Sequence, residues 1–244
     1  MLDGQTAFVT GGTGAVGAAI VRCLADQGAR VAFSFHQQAD KARRLEAELG
    51  AKKRMVRGYA LDMLNATGVG QLAEKIEREL GPVDILVNNA GITQVMPFAL
   101  IEEADWDRVM DVNVKGMFLV TKAFVRAMIR RKKGTIINLG SLAGVRLLEV
   151  PVHYATAKSA VVGFTLSLAR ELSRYNVRVN AVVPGLLTGG VSDNIPDKQR
   201  EDYLQHCAAG RAGKPEEVAE LVAFLASDRA SYINAQIIQI DGGF

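Results

Sequence analysis

Tyr154 and Lys158 stand four residues apart inside an apolar-periodic run from Val152 to Arg174. That periodicity predicts a helix, on which positions i and i+4 share one face a turn apart. A phenol beside an ammonium group is a proton-transfer device. Free tyrosine ionises near pKa ~10; a neighbouring cation favours the phenolate and is expected to lower that value. A phenol so tuned can exchange a proton with an alcohol or carbonyl oxygen near neutral pH. The pair alone recurs on many helices, so its weight depends on its company.

A second candidate lies near the start of the chain. Thr6 to Thr10 is a short β-rich run that leads into Thr10-Gly11-Gly12-Thr13-Gly14-Ala15-Val16-Gly17, followed by a helical pattern from Ala18 to Gln27. Glycines let the chain turn sharply and approach a pyrophosphate, and the following helix directs its N-terminal amides at the anion. A glycine-rich turn can also be only a tight connection; its place between a first strand and a first helix favours the dinucleotide reading.

The remaining chain repeats this alternation. Strands are expected at Arg30–Phe35, about 54–61, Asp84–Asn88, Thr135–Leu139, Val177–Val183 and Gln236–Ile240. Helices are expected at about 38–49, 66–80, 102–132, 196–208 and 215–227, besides the Tyr154 helix. Strict alternation predicts a single α/β domain: a doubly wound, seven-stranded parallel sheet of Rossmann type with helices on both faces. Its ligands sit at the carboxyl ends of the strands.

The 244 residues are 49% hydrophobic and 23% charged, ample for one core. A formal charge of +3 gives no case for nucleic acid. The basic run Arg130-Arg131-Lys132-Lys133 reads either as a solvated helix end or as a docking patch for an acidic partner. Cys23 and Cys207 lack metal-ligand spacing, so no metal is expected; Cys23 falls in an apolar helix pattern. No signal-like or membrane-spanning stretch is seen, and a cytoplasmic setting is expected. His153 should point about 100° away from Tyr154, to the pocket wall or the surface. No Gly-x-Ser-x-Gly elbow supports a hydrolase.

Thr10 to Gly17, Asp62, Asn88-Asn89-Ala90-Gly91, Asn113, Ser141, Tyr154, Lys158 and Pro184-Gly185 occur in this order and spacing. Over essentially its whole length the chain resembles the short-chain dehydrogenase/reductase family, and within it the 3-oxoacyl-acyl-carrier-protein reductases. Supporting runs are Val112-Asn113-Val-Lys-Gly, Asn138-Leu-Gly-Ser141, Val179-Asn-Ala-Val-Val-Pro-Gly and Gly210-Arg-Ala-Gly-Lys-Pro-Glu-Glu. The resemblance implies four catalytic residues. Tyr154 donates the proton, Lys158 tunes it and bonds the nicotinamide ribose, Ser141 orients the carbonyl, and Asn113 positions a relay water that reaches Lys158. It implies cofactor contacts from Gly11, Thr13, Gly14, Ala15, Val16, Gly17, Met63, Asn89, Ala90, Gly91, Pro184 and Gly185. Asp62 would meet the adenine amino group, and Thr188 would stand near the carboxamide. Asn88 would help hold the sheet together. A lid over about 186–209, with hinge freedom at Gly189-Gly190, and a homotetramer through the long helices and Gln236–Ile240 are also implied.

Two departures bear on the cofactor. The family turn has Thr-Gly, three residues, Gly, one residue, Gly; here Gly14 precedes an Ala15 that occupies the middle glycine position, a spacing also like that of polyketide ketoreductases. A basic residue frequent at the Gly14 position in NADPH-using relatives is missing. At the end of the second strand stand Phe35 and His36, with no acid until Asp40 and with Lys41, Arg43 and Arg44 beyond. An acid there would bond the ribose and repel a 2′-phosphate; its absence, with His36 at hand, tilts the expectation to NADPH over NADH. The expected activity is reduction of a 3-oxoacyl chain on acyl carrier protein, in fatty acid or polyketide biosynthesis. Arg130, Arg131, Lys132, Lys133 and Arg174 are the docking candidates for that acidic partner. An acetoacetyl-CoA reductase, a sugar or polyol dehydrogenase, and a non-catalytic nucleotide-sensing scaffold are the alternatives.

Overall fold

A computed structural model describes residues 1–190, 192 and 195–244. Seven strands run in the order β3-β2-β1-β4-β5-β6-β7, every pair parallel. They are β1 (Thr6–Val9), β2 (Arg30–Phe35), β3 (Val56–Ala60), β4 (Ile85–Asn88), β5 (Gly134–Leu139), β6 (Val177–Pro184) and β7 (Ile237–Ile240). Between them lie α1 (Ala15–Asp26), α2 (Ala39–Ala51), α3 (Ala66–Leu80), α4 (Glu103–Met110), α5 (Gly116–Arg131), α6 (Val152–Leu172), α7 (Asp197–His206) and α8 (Pro215–Ala226). Among the described residues no helix is long and apolar enough to cross a membrane.

Alternate strand residues feed opposite faces. Ala7, Val9, Val31, Phe33, Ile85, Val87 and Ile137 pack against Ile20, Leu24, Leu45, Val218 and Val222 of α1, α2 and α8. Phe8, Ala32, Leu86, Ile136 and Val179 pack against Val69, Ile76, Val120, Phe124, Met128, Ala169 and Leu172 of α3, α5 and α6. Burial on both faces explains why the central strands β1 and β4 are near-continuous apolar runs and not alternating. The polar exceptions are paired: Asn88 Nδ2 donates to Asn138 Oδ1 at 2.8 Å and to Thr121 Oγ1 at 2.9 Å, and Asn138 Nδ2 donates to Thr165 Oγ1 at 2.9 Å. This ladder ties β4 and β5 to α5 and α6, so Asn88 does hold the sheet together.

The expected helix over 102–132 is interrupted. Asp111–Lys115 winds as one π-helical turn between α4 and α5. Such widened turns occur frequently at functional sites, and this one contains Asn113.

Candidate active site

β1 is followed in the sheet by β2 on one side and β4 on the other, so the two chain crossovers diverge at its carboxyl end. In doubly wound sheets that divergence opens the ligand crevice. Thr10 Oγ1 accepts from the backbone N–H groups of Asn89 and Ala90, both at 3.0 Å. Asn89 Nδ2 donates back to the carbonyls of Thr10 at 2.9 Å and Gly11 at 3.2 Å. The glycine-rich turn is thereby clamped to the end of β4. A Cβ at Gly17 would stand 2.2 Å from the Gly11 carbonyl oxygen, so only glycine lets α1 press this close to the turn. α1 starts at Ala15 with no side-chain cap at Gly14, which leaves its first amides for another acceptor. The Cβ-free cradle and the uncapped helix start fit a dinucleotide pyrophosphate.

Gly11 and Thr13 to Gly17 line one wall of a cavity of about 1220 Å³. His36, Gln37 and Gln38 follow β2 on that wall; Asp62 and Met63 follow β3; Asn89, Ala90 and Gly91 follow β4; Pro184 and Gly185 follow β6. Asp62 Oδ1 accepts from the Leu64 N–H at 2.9 Å. Of the bases expected near the ribose, only His36 reaches the cavity: Arg43 is ion-paired with Asp40, and Lys41 and Arg44 lie off the wall. Thr188 is also off it. Its N–H meets the Gly213 carbonyl at 2.9 Å and its hydroxyl points to the same oxygen at 3.4 Å. Its side chain is exposed.

Ser141, Tyr154 and Lys158 all line the same cavity. Lys158 is buried, and its Nζ donates to the Leu139 carbonyl at the end of β5, 3.0 Å away. Asn113 is buried beside it. Its Nδ2 donates to the carbonyls of Ile92 and Val109, each at 2.9 Å, while its Oδ1 has no partner. A Cβ built on Gly91 would lie 2.5 Å from that Oδ1 and 3.4 Å from Lys158 Nζ, so both groups crowd one point. An unpaired acceptor next to a buried ammonium is where a hydrogen-bonded proton path can begin. Ser141 Oγ accepts from the Ala143 N–H at 3.2 Å, which fixes its place ahead of α6.

The electrostatics correct one expectation. Burial raises the Tyr154 phenol above its usual value, and the facing Ser141 hydroxyl only partly opposes that shift. Burial also pushes Lys158 down to about 8. Lys158 Nζ lies 5.7 Å from the Tyr154 ring centroid. Both groups are desolvated, so each favours its neutral form, and the phenol is held as an acid, not as a phenolate. His153 is likewise corrected. It is fully buried, on neither the pocket wall nor the surface, because His153, Ala157, Val161, Thr165 and Ala169 form the inward stripe of α6 at four-residue spacing.

The sequence reading did not find Val95–Phe98, Leu148–Val152, Tyr203 and Phe244 on the cavity wall. Nothing local marks them; Tyr203 and Phe244 meet only through the fold.

A family model described as enoyl-(acyl carrier protein) reductase matches residues 12–244. The chain belongs to the short-chain dehydrogenase/reductase family. It is 38% identical over 242 residues to the Thermotoga maritima protein named 3-oxoacyl-(acyl-carrier-protein) reductase FabG, covering 99% of this chain and 98% of the relative. It is 39% identical over 242 residues to nodulation protein G of Rhizobium sp. strain N33, covering 99% and 97%. The Escherichia coli K12 protein named FabG is 36% identical over 241 residues, covering 99% and 97%. Among solved structures, the crystal structure of gox2181 superposes with a TM-score of 0.95 at 32% identity, covering 100% of this chain and 96% of that one.

Proposed function

We propose that the protein reduces the 3-oxo group of an acyl chain carried on acyl carrier protein, with NADPH as reductant, in a cytoplasmic biosynthetic pathway. The observation that carries this reading is a single cavity lined by Ser141, Tyr154, Lys158 and the glycine-rich turn, with Asn113 and Lys158 crowded against Gly91. The relatives' names supply the substrate. Bound NADPH would supply the hydride to the carbonyl carbon. Ser141 then orients the carbonyl oxygen, and neutral Tyr154 gives its proton to the oxygen as charge develops there. Lys158 balances the charge left on the phenol and would bond the nicotinamide ribose, and Asn113 anchors the path that returns a proton to it. The preference for NADPH rests on His36 and on the lack of a carboxylate at the end of β2.

The docking reading carries a geometric condition. Arg131 Nη1 pairs with Asp84 at 2.7 Å and Lys133 Nζ with the same carboxylate at 3.5 Å, so these two also have a partner within the chain. Arg130, Lys132 and Arg174 remain. They sit at the C-terminal ends of α5 and α6, roughly 24–30 Å of helix from the Asn113 and Tyr154 ends at 1.5 Å per residue. A carrier protein held there fits best with delivery to a neighbouring subunit of a homotetramer. β7, an edge strand with apolar Ile237, Ile238 and Ile240, offers one tetramer surface. The segment 186–209 is read as the lid; α7 and the left-handed Gly189 and Gly190 fall within it, while positions 191, 193 and 194 lie outside the described residues. Oxidation of NADPH and NADH with 3-oxobutyryl and crotonyl carrier proteins tests the reading. Turnover of the 3-oxo substrate with NADPH is expected; turnover of crotonyl carrier protein alone would instead favour the enoyl reduction in the family model's description, and no turnover with either would refute both.

A further inference from the structure

Tyr203 of α7 and Phe244 both line the cavity, and their rings stack with centroids 4.3 Å apart and planes 4° from parallel. The segment that carries Phe244 is fastened in place. Ala209 N–H donates to the Gly242 carbonyl at 2.9 Å and Ala208 N–H to the Gly243 carbonyl at 3.3 Å. Tyr203 Oη donates to the Asp241 carbonyl at 3.2 Å, and a Cβ at Gly185 would meet that same Oη at 2.2 Å. An aromatic wall tied to both segments therefore stands past the carboxyl ends of β6 and β7.

Its position in the sheet order says what it can touch. The adenosine-side residues His36 and Asp62 follow β2 and β3, and Ser141 follows β5. Adjacent strands lie ~4.8 Å apart. The aromatic wall thus lies on the far side of the reactive centre from the nucleotide end, about one to two strand spacings beyond Ser141. The same cavity is lined by Val95 and Phe98, which are 52% and 68% exposed, and by Val150 and Val152. Large apolar side chains at this exposure are poorly explained by packing within the chain.

We propose that the Tyr203–Phe244 stack is the binding wall for the acyl chain, and that Phe244 sets a preference for chains extending well beyond four carbons. The proposal rests on the 3-oxoacyl reading above and deepens it. Each methylene laid on the rings adds roughly fourfold to kcat/KM, from the free energy of burying a CH₂.

The test uses N-acetylcysteamine thioesters, which need no carrier docking. kcat/KM is measured for 3-oxobutyryl and 3-oxooctanoyl thioesters with the wild type, Phe244→Ala and Phe244→Leu. The wild type should prefer the eight-carbon chain, Phe244→Ala should lower the eight-to-four ratio ~10-fold, and Phe244→Leu should keep it within about threefold. Equal loss on both substrates, which a merely structural role would give, overturns the proposal and leaves the 3-oxoacyl reading intact. So does an unchanged ratio. A wild type that reduces neither thioester nor the carrier-bound substrate overturns both. Should Phe244→Ala not fold, Phe244→Gln reads the same ratio with most of the volume kept.

Discussion

Lys158→Met should make the protein more stable while removing its activity. Lys158 is 6% exposed, and burial takes its pKa from 10.5 to about 8. That displacement corresponds to a penalty of about 3 kcal/mol on the folded state when the lysine is charged. Loss of the hydrogen bond to the Leu139 carbonyl returns about 1 kcal/mol. A net gain of about 2 kcal/mol raises Tm by ~4–8 °C in a chain of this length. The sign depends on pH. Below about pH 8 the lysine is charged in both states and the folded protein carries the full penalty. Between about 8 and 10.5 the folded state releases its proton first, so wild-type stability climbs with pH. Above 10.5 both states are neutral and the penalty is gone. Paired melting curves of wild type and variant from pH 7 upward should therefore show an advantage that is greatest at neutral pH and shrinks toward pH 10.5, alongside a loss of ~100-fold or more in kcat/KM. A variant that melts below wild type at pH 7, or a difference that ignores pH, would refute the reasoning.

The same lysine predicts a descending limb near pH 8 in the wild-type kcat/KM profile, since that quantity reports the free enzyme; a profile flat through pH 9 would contradict it. Gly91→Ala places a methyl 2.5 Å from Asn113 Oδ1. It should cost ~1–3 kcal/mol in stability and lower kcat ~10-fold or more, read by melting and steady-state kinetics. Arg131→Ala leaves the nearly buried Asp84 with only Lys133 as an ion-pair partner. Tm should fall by several degrees, about 2 kcal/mol, with KM for the carrier protein unchanged; a carrier-specific KM defect would restore Arg131 as a docking residue.

Alternation of patterns was enough to read the sheet, because the central strands are buried on both faces and each helix shows its own periodicity. The limits for β2 and α3 coincide with those expected from sequence. The glycine cradle and the Ser141, Tyr154 and Lys158 positions were legible because their spacing is local. Three things were not. The pKa direction of Tyr154 depends on how dry the pocket is, which no spacing encodes. The contact of Thr188 with the Gly213 carbonyl, 25 residues on, has no local signal. The Tyr203–Phe244 wall joins two residues through α7 and the turn after β7, a pairing of purely tertiary origin.

The widened turn at Asp111–Lys115 has a cost and a use. In an unbroken α-helix each residue follows its predecessor by about 100°, so a single phase would govern everything from Glu103 to Arg131. α4 must face α6, while α5 must point Val120, Phe124 and Met128 at the sheet. One extra residue in the winding lets the two halves keep separate phases, and Asn113 sits at the joint between them. Deleting a residue there would restore regular winding but would move Asn113 off the joint or remove it. The widened turn is thus what sets the Asn113 amide between two packed helices with its Oδ1 turned toward the buried Lys158 side of Gly91.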